Sequence, residues 1–485
     1  ESEAPRVSQG LEENWKNLFN DYRSLLRWRK WRFNYSEDID VDKWLALKMK
    51  HGIITDVSRS KHNLYPELLA YNRFQIHLIK DGLEPFWTNG QPQAYYHNTL
   101  HARSHVVAAD EPDKIRAVFG ATWLLLFAEL MFIWVLQHIY QNNPEDGCLF
   151  WGREIMRGGW KKIITEASAN GIATSFLTLD WSQFDKRLLF EVMDDVHKVW
   201  RSYFDFSHYE ETVFYNGERS KTDPTRIERL WTWMTHSIKH TPILLPDGSL
   251  WKWIRNGFGS GYQETQLMDT FGNSIMLLTC LSAMGVNIRN ESFWMLIQGD
   301  DSITAFFERL AAVYGHRFLD TFKECAAYYF NGKVNLKKSK FSESIQRHTV
   351  LGYYHIDGIP FRTTEDLLRH LLFPESLFND YDRQMTVLIG LAYASCGTNR
   401  EFYEFSKYAF LKLQKKGNRP NIRFYKRANW LRMLDQHGTI DLQAFPHMED
   451  LISKVLSPHI RTEWEKQRVW KTKPTTDNRF YFLSD

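Results

Sequence analysis

Phe293-Trp294-Met295-Leu296-Ile297-Gln298-Gly299-Asp300-Asp301-Ser302-Ile303-Thr304-Ala305-Phe306 is the stretch around which the chain is organised. An apolar, β-forming run reaches Gly299, meets two adjacent carboxylates, and leaves through a second β-forming run. The pattern predicts a hairpin whose tight turn carries Asp300 and Asp301 at its tip. Two carboxylates side by side between apolar strands repel each other unless a cation sits between them. Gly and Asp also serve plain backbone turns, so the reading depends on what the rest of the chain sets opposite.

At 485 residues the chain is long for one core, and two or three subdomains are expected. Formal net charge is +3, so any nucleic-acid surface has to be a local patch rather than a global excess. Aromatic residues make up 15% of the chain, with 19 Trp, enough for large cores and for stacking platforms. Cys148, Cys280, Cys325 and Cys396 are far apart and form no CxxC pair, which argues against a disulfide framework or a zinc site and fits a reducing compartment. No signal peptide is visible, and the chain begins without Met, which leaves room for a start further upstream. Ala121 to Ile139 mimics a membrane span, but Glu129 near its middle costs roughly 2.5–3.5 kcal/mol in a bilayer. A buried helix is expected there, and no membrane partner. The sequence shows neither an internal repeat nor a low-complexity tract.

Residues 1–60 have an amphipathic helical pattern with a basic-aromatic knot, Arg27-Trp28-Arg29-Lys30-Trp31-Arg32-Phe33, suited to RNA or to a solvated helix face. Asp113 to Gly120 alternates as a strand and sets Lys114 and Arg116 on one face, where two cations suit a polyphosphate. Thr174 to Leu179 is a strand ending on Asp180, followed by a helical pattern of Phe184, Leu188, Val192 and Val196. Asp180 thus sits where a buried strand emerges, a usual place for a functional carboxylate, with Asp185 in the first helical turn. Residues 205–255 read as an irregular insertion. After the Gly-rich loop Asn256 to Gly261, the residues Thr265, Asp269 and Asn273 share one helix face, while Leu267, Phe271, Ile275 and Leu278 turn to a core. Thr, Asp and Asn are poor helix formers, and a hydrogen-bonding task explains them better than stability does.

Beyond the hairpin, Leu319, Phe322, Ala326 and Tyr329 mark another amphipathic helix, and Val334 to Lys340 a basic loop or edge strand. A second hairpin is expected around Asp357-Gly358, and helices from about residue 364 onward. Between Lys412 and Arg432 there are eight Lys/Arg and no acid. Lys415, Lys416, Arg419 and Arg423 are candidates there for RNA contact, against a simple solvated face.

Asp180 and Asp300 together form a pair suited to two divalent cations, which at about 3.5–4 Å apart assist an in-line phosphoryl displacement. Lys114 and Arg116 would meet the triphosphate, and the polar stripe with Asp185 a ribose, so the constellation reads as nucleotidyl transfer. The order Asp180-x4-Asp185, then Ser260-Gly261-x3-Thr265-x3-Asp269-x3-Asn273, then Gly299-Asp300-Asp301 resembles palm motifs A, B and C of viral RNA-dependent RNA polymerases. Lys114 and Arg116 resemble their finger motif F, Asn335-x2-Lys338-Ser339 their motif D, and Leu351-Gly352-Tyr353 the segment before the thumb. The variant with Asp269 is most similar to small double-stranded RNA viruses of the partitivirus and picobirnavirus kind. The matched motifs cover roughly half the chain.

The resemblance implies an α+β right-hand fold with an antiparallel palm sheet and many helices. Residues 1–170 would be the N-terminal region and fingers, 171–205 and 256–362 the palm, 206–255 a fingers insertion, and 363–485 a helical thumb. It implies an RNA-directed RNA polymerase using two Mg²⁺, with Mn²⁺ as substitute, on an RNA template, a product duplex and NTPs. Asp180, Asp300 and, more weakly, Asp301 would hold the metals, and Lys338, or Lys340, would be the proton donor. Ser260, Gly261 and Thr265 would line the nucleotide site, with either Asp269 or Asn273 on the ribose. Such enzymes work in a capsid, beside its protein, in the host cytoplasm. A reverse transcriptase, a two-metal nuclease and a non-catalytic RNA-binding protein are the rivals.

Overall fold

Ser175-Phe176-Leu177-Thr178-Leu179 offers no charge to either face, and in the computed structural model all five residues are buried. A strand of this kind belongs inside a sheet that is covered on both sides. It pairs antiparallel with Asp301–Phe306 on one edge and with Lys340–Ser342 on the other.

The structure describes residues 40–60, 62–105, 114–142, 147–169, 171–207, 223–289, 291–373, 380–421 and 444–456. The Arg27 to Phe33 knot and Arg423 lie outside them. In chain order come α1 (Val41–Lys50), α2 (Tyr65–Lys80), β1 (Trp87–Thr88), β2 (Gln91–Pro92), β3 (Asn98–His105) and β4 (Lys114–Gly120). Then follow α3 (Trp123–Asn142), α4 (Gly159–Ala167), β5 (Ser175–Leu179), α5 (Phe184–Arg187), α6 (Phe190–Arg201), α7 (Pro224–His240), β6 (Ile243–Leu244) and β7 (Leu250–Trp251). The next group is α8 (Thr265–Ala283), β8 (Phe293–Gln298), β9 (Asp301–Phe306), α9 (Leu310–Tyr314), α10 (Phe318–Phe330) and β10 (Lys340–Ser342). Three short strands, β11 (Thr349–Val350), β12 (Tyr353–Ile356) and β13 (Ile359–Phe361), precede α11 (Thr364–Leu372), α12 (Tyr381–Ala394), α13 (Arg400–Lys415) and α14 (Met448–Leu456).

The central sheet runs β10-β5-β9-β8 and is antiparallel throughout. Its strands bury both faces by alternation. Phe293, Met295 and Ile297 turn to a large core shared with α3, α6, α7, α8 and α10. Trp294 and Leu296 turn to a second core with Trp160, Ile163 and Tyr353. A separate sheet, β4-β3-β6-β7, joins strands on both sides of the central elements in sequence. The C-terminal helices α11, α12 and α13 gather a core of their own around Leu367, Leu388, Ile389, Phe402 and Phe410.

Most expected elements are present, and four differ. The β8–β9 register pairs Gln298 with Asp301, so Asp301 is the first strand residue and only Gly299 and Asp300 form the turn. Gly299 has φ +62°, as the first central position of a two-residue hairpin turn favours. The helix expected after Asp180 is broken at Leu188 and Leu189, because their backbone is drawn aside. Gly257 N–H donates to the Leu188 carbonyl at 2.9 Å, and Phe190 N–H to the Arg255 carbonyl at 2.9 Å. Within the 205–255 stretch the described residues include a regular element: α7 is a 17-residue helix capped by Asp223, with Pro224 in its first turn. Its buried Leu230, Trp231, Trp233, Met234 and Ile238 are interleaved with His and Thr, which blurs the helical period in the sequence. In α10 the core position falls to Phe330, and Tyr329 is exposed.

The α3 helix is long and apolar enough to cross a membrane. Here Leu124, Leu125, Ala128, Phe132, Ile133 and Leu136 enter the main core, and Glu129 is fully buried with them. The hairpin at Asp357-Gly358 is formed, both residues having positive φ. After residue 363 no strand occurs among the described residues.

Candidate active site

Asp180 leaves β5 one residue after Leu179, which pairs with Ser302, so the register carries Asp180 alongside Asp301. The 335–339 segment holds it there. Asp180 N–H donates to Ser339 Oγ at 3.0 Å, the Asp180 carbonyl accepts from Asn335 N–H at 2.8 Å, and its Oδ2 accepts from Asn335 Nδ2 at 2.8 Å.

Gly299, just before Asp300, is held from α8 at both of its backbone polar groups. Its N–H donates to Thr270 Oγ1 at 2.8 Å, and its carbonyl accepts from Asn273 Nδ2 at 2.9 Å. Asn273 Oδ1 accepts from Trp181 Nε1 at 2.9 Å. One buried amide therefore ties the residue after Asp180 to the residue before Asp300. Of the two alternatives for the ribose, Asp269 and Asn273, this tells against Asn273: its side chain has no exposure and both ends of the amide are occupied. Thr270 and Trp181 were missed in the sequence. Their signal was present only as a Thr inside a helix and a Trp beside a strand-end carboxylate.

The carboxylates act on one another. Burial raises Asp300, and the negative charges of Asp180 and Asp185 add to it, while the Arg116 guanidinium on β4 draws it back. Asp300 is nevertheless open to solvent at the turn, close enough to protein for its charge to be penalised. Asp301 is pushed up to about 6, first by burial and then by Asp300 and Asp180. Asp269 is raised well above the carboxylate range by burial and by Asp300, Asp185 and Glu264. Its Oδ1 is shut off from solvent without a hydrogen-bond partner. Asp185 is half-buried, and its Oδ1 accepts from Lys186 N–H at 3.0 Å.

Asp180, Asp300 and Asp301 fit a divalent cation in charge and donor type, offering oxygen acceptors that repel one another. Among the described residues no three His, Cys, Asp or Glu side chains are placed to hold one metal ion together. An open set suits Mg²⁺, which keeps water and substrate phosphate among its ligands.

The Gly-rich loop before α8 lies against β4. Ser260 Oγ donates to the Ala117 carbonyl at 3.2 Å, and Phe119 N–H to the Ser260 carbonyl at 3.3 Å. Gly261, at φ +155°, has no room for a side chain: a Cβ would lie 2.2 Å from the Phe119 carbonyl oxygen. Thr265 Oγ1 donates to the Tyr262 carbonyl at 2.9 Å. Ser260 and Thr265 thus spend their hydroxyls on holding the loop. On β4, Lys114 pairs with His105 and the exposed Arg116 with Arg103. Lys338 is exposed, and Lys340 Nζ donates to the Gln346 carbonyl at 2.9 Å. Lys415, Lys416 and Arg419 are exposed at and beyond the end of α13, away from these elements in sequence.

Replacing Asn273 by Ala leaves the Trp181 Nε1–H and the Gly299 carbonyl unpaired in the interior. Each such group costs about 1–3 kcal/mol. Denaturant unfolding should therefore show a loss of at least about 2 kcal/mol. An Asn273→Ala midpoint equal to that of the wild type would mean that the link does not form in solution.

The comparisons with known proteins agree with this geometry. Residues 76–353 match the family described as viral RNA-dependent RNA polymerase. The chain is 30% identical over 420 residues to the RNA-directed RNA polymerase of White clover cryptic virus 1 (isolate Boccardo/2004), covering 83% of this chain and 66% of that protein. It is 27% identical over 384 residues to that of Atkinsonella hypoxylon virus (isolate 2H), covering 70% of this chain and 56% of that protein. The chain thus spans just under two thirds, or less, of the length of these relatives. Its fold is similar, at a TM-score of 0.52 and 15% identity, to an insertion-loop deletion mutant of the RNA-dependent RNA polymerase of a human picobirnavirus, over 72% of this chain and 64% of that one. With the match over residues 76–353, the chain belongs to the viral RNA-dependent RNA polymerase family.

Proposed function

We propose that the protein is an RNA-directed RNA polymerase that extends an RNA 3′ end with nucleotides chosen by an RNA template, and so replicates and transcribes a viral RNA genome. The observation that carries this reading is the meeting of Asp180, from β5, with Asp300 and Asp301, from the β8–β9 hairpin, at one end of one sheet. A bond forms between the 3′ oxygen and the α-phosphorus of the NTP, and the bond to the pyrophosphate oxygen breaks. When bound, two Mg²⁺, or Mn²⁺ in their stead, would supply charge neutralisation for this transfer. Asp180 and Asp300 would hold them directly, with Asp301 weaker. The Lys338 ammonium gives its proton to the departing pyrophosphate as a general acid. Arg116, with Lys114, meets the triphosphate. Asp185 accepts the hydrogen bond of the 2′-hydroxyl, with Asp269 beside it.

In this reading the palm comprises residues 171–205 and 256–362, and the fingers residues 1–170 with the insertion 206–255. The joining of β3 and β4 to β6 and β7 in one sheet supports that grouping. Residues 363–485 would be the thumb, with Lys415, Lys416, Arg419 and Arg423 on the RNA phosphates. The resemblance to small double-stranded RNA viruses further suggests an enzyme held inside the virion, against capsid protein, in the host cytoplasm and away from membranes.

Purified protein with an RNA template, labelled NTPs or dNTPs and Mg²⁺ tests the reading. Asp300→Asn should abolish incorporation and leave RNA affinity nearly intact, because that affinity comes mostly from phosphate contacts elsewhere. Incorporation near the wild-type rate would refute the assignment. Sites built to bond a hydroxyl reject analogues that lack it. Asp185→Ala should therefore lower kcat/KM for NTPs more than for dNTPs. Equal losses would assign Asp185 to the helix or the metals instead.

A further inference from the structure

Three ionisable side chains meet in the dry interior where α8 begins, and none of them belongs to the chemistry described above. Glu129, on α3, is fully buried; its Oε2 accepts from Gln263 N–H at 3.2 Å and its Oε1 from Glu264 N–H at 3.3 Å. Glu264, also fully buried, precedes α8, and its two carboxylate oxygens lie 3.0 and 3.2 Å from Nε2 of His197. His197 is on α6, 3% exposed, its ring set edge-on to Trp200 and Trp231. Gln137, two turns along α3 from Glu129, donates its Nε2 to the Gln263 carbonyl at 2.9 Å.

Burying such groups is costly, and apolar residues of similar size would stabilise the same junction at least as well. What the arrangement adds is direction. Glu129 takes the N–H groups of Gln263 and Glu264, the two residues that lead into α8, and such bonds form only at a defined distance and angle. Glu129 therefore fixes the height at which α8 starts, and His197, through Glu264, fixes it against α6, which follows Asp185 in the chain. Thr270 and Asn273 hold the same helix at Gly299 further along. Asp269 lies between the two fixed points. Burial and the Glu264 carboxylate hold Glu129 well above the usual carboxylate range.

We propose that Glu129, Glu264 and His197 are positioning residues that set the start of α8 against α3 and α6, and thereby the separation of Asp269 from Asp185 at the sugar of the incoming nucleotide. The proposal rests on the polymerase reading given above. A displaced Asp269 would change which sugar is accepted, an effect that mere loss of stability does not produce.

The test measures kcat and KM for NTPs and dNTPs, together with thermal unfolding, for the wild type, Glu129→Gln and Gln137→Leu. Glu129→Gln sets an amide NH₂ against one of two backbone N–H donors and so breaks one bond. One net hydrogen bond corresponds to a change of up to about tenfold. Glu129→Gln should narrow the ratio of kcat/KM for NTPs over dNTPs by about that factor, chiefly through a higher KM for NTPs. Gln137→Leu, on a partly exposed position that should tolerate the change, should narrow the ratio in the same direction by less. If Glu129→Gln does not fold, Gln137→Leu decides. A folded variant with a lowered melting temperature but an unchanged ratio would overturn the proposal and leave the cluster a structural contact. A wild type that incorporates neither NTPs nor dNTPs would instead overturn the polymerase reading.

Discussion

The two hydrogen bonds from α8 to Gly299 are the constraint on which the site depends. A two-residue turn with one left-handed residue has little to hold it except its own strands, and the carboxylates it carries push one another apart. Thr270 Oγ1 accepts from the Gly299 N–H and Asn273 donates a hydrogen bond to its carbonyl, so the turn cannot rotate without leaving both groups unpaired. The same Asn273 accepts from Trp181, which brings the β5 end into the arrangement. Asn335 and Ser339 complete it from the other side of the sheet at Asp180. Repulsion among the acids is thus opposed by a frame of neutral hydrogen bonds.

That frame also separates roles among residues of like chemistry. Asp180, Asp300 and Asp301 stand together at one end of the sheet, whereas Asp269, on α8, has one oxygen shut off from solvent and unpaired. Asn273 and Thr270, on the same helix, face the interior and serve the backbone. The glycine loop before α8 is pinned to β4 at Ser260 and Gly261, so the strand bearing Arg116 and the helix bearing Asp269 share one wall. Electrostatics on this scale is local: the chain has a net charge of only +3, yet five acids and one arginine dominate the site.

The sequence made the hairpin legible because β-forming runs on both sides of Gly299 leave no other way to place two acids between apolar residues. Asp180 was legible for a related reason, since an uncharged strand that ends on a carboxylate has to deliver it somewhere. The direction in which Asn273 points was not legible. Thr265, Asp269 and Asn273 do share a spacing, but spacing tells which side chains align and not whether their partners are substrate or backbone. The break at Leu188 and Leu189 was hidden because its cause, the strand-like approach of residues 255–257, lies far away in the chain. α7 was hidden because its apolar face is built from Trp and Met among polar residues. Glu129 gave a signal, an acid in a run of Leu and Phe, but its acceptor role needed the position of α8.

Metal affinity tests most directly whether the Gly299 frame sets the acids. Thr270→Val keeps the shape of the side chain and removes the acceptor for the Gly299 N–H, together with the hydroxyl's own bond to the Gln266 carbonyl within α8. Partners that orient metal-binding groups typically contribute about 10–100-fold to affinity. Titration of Mn²⁺ into wild-type and Thr270→Val protein, monitored by calorimetry, should show affinity weaker by at least about tenfold in the variant, with thermal unfolding still cooperative. Equal affinity for Mn²⁺ in the two proteins would contradict the account.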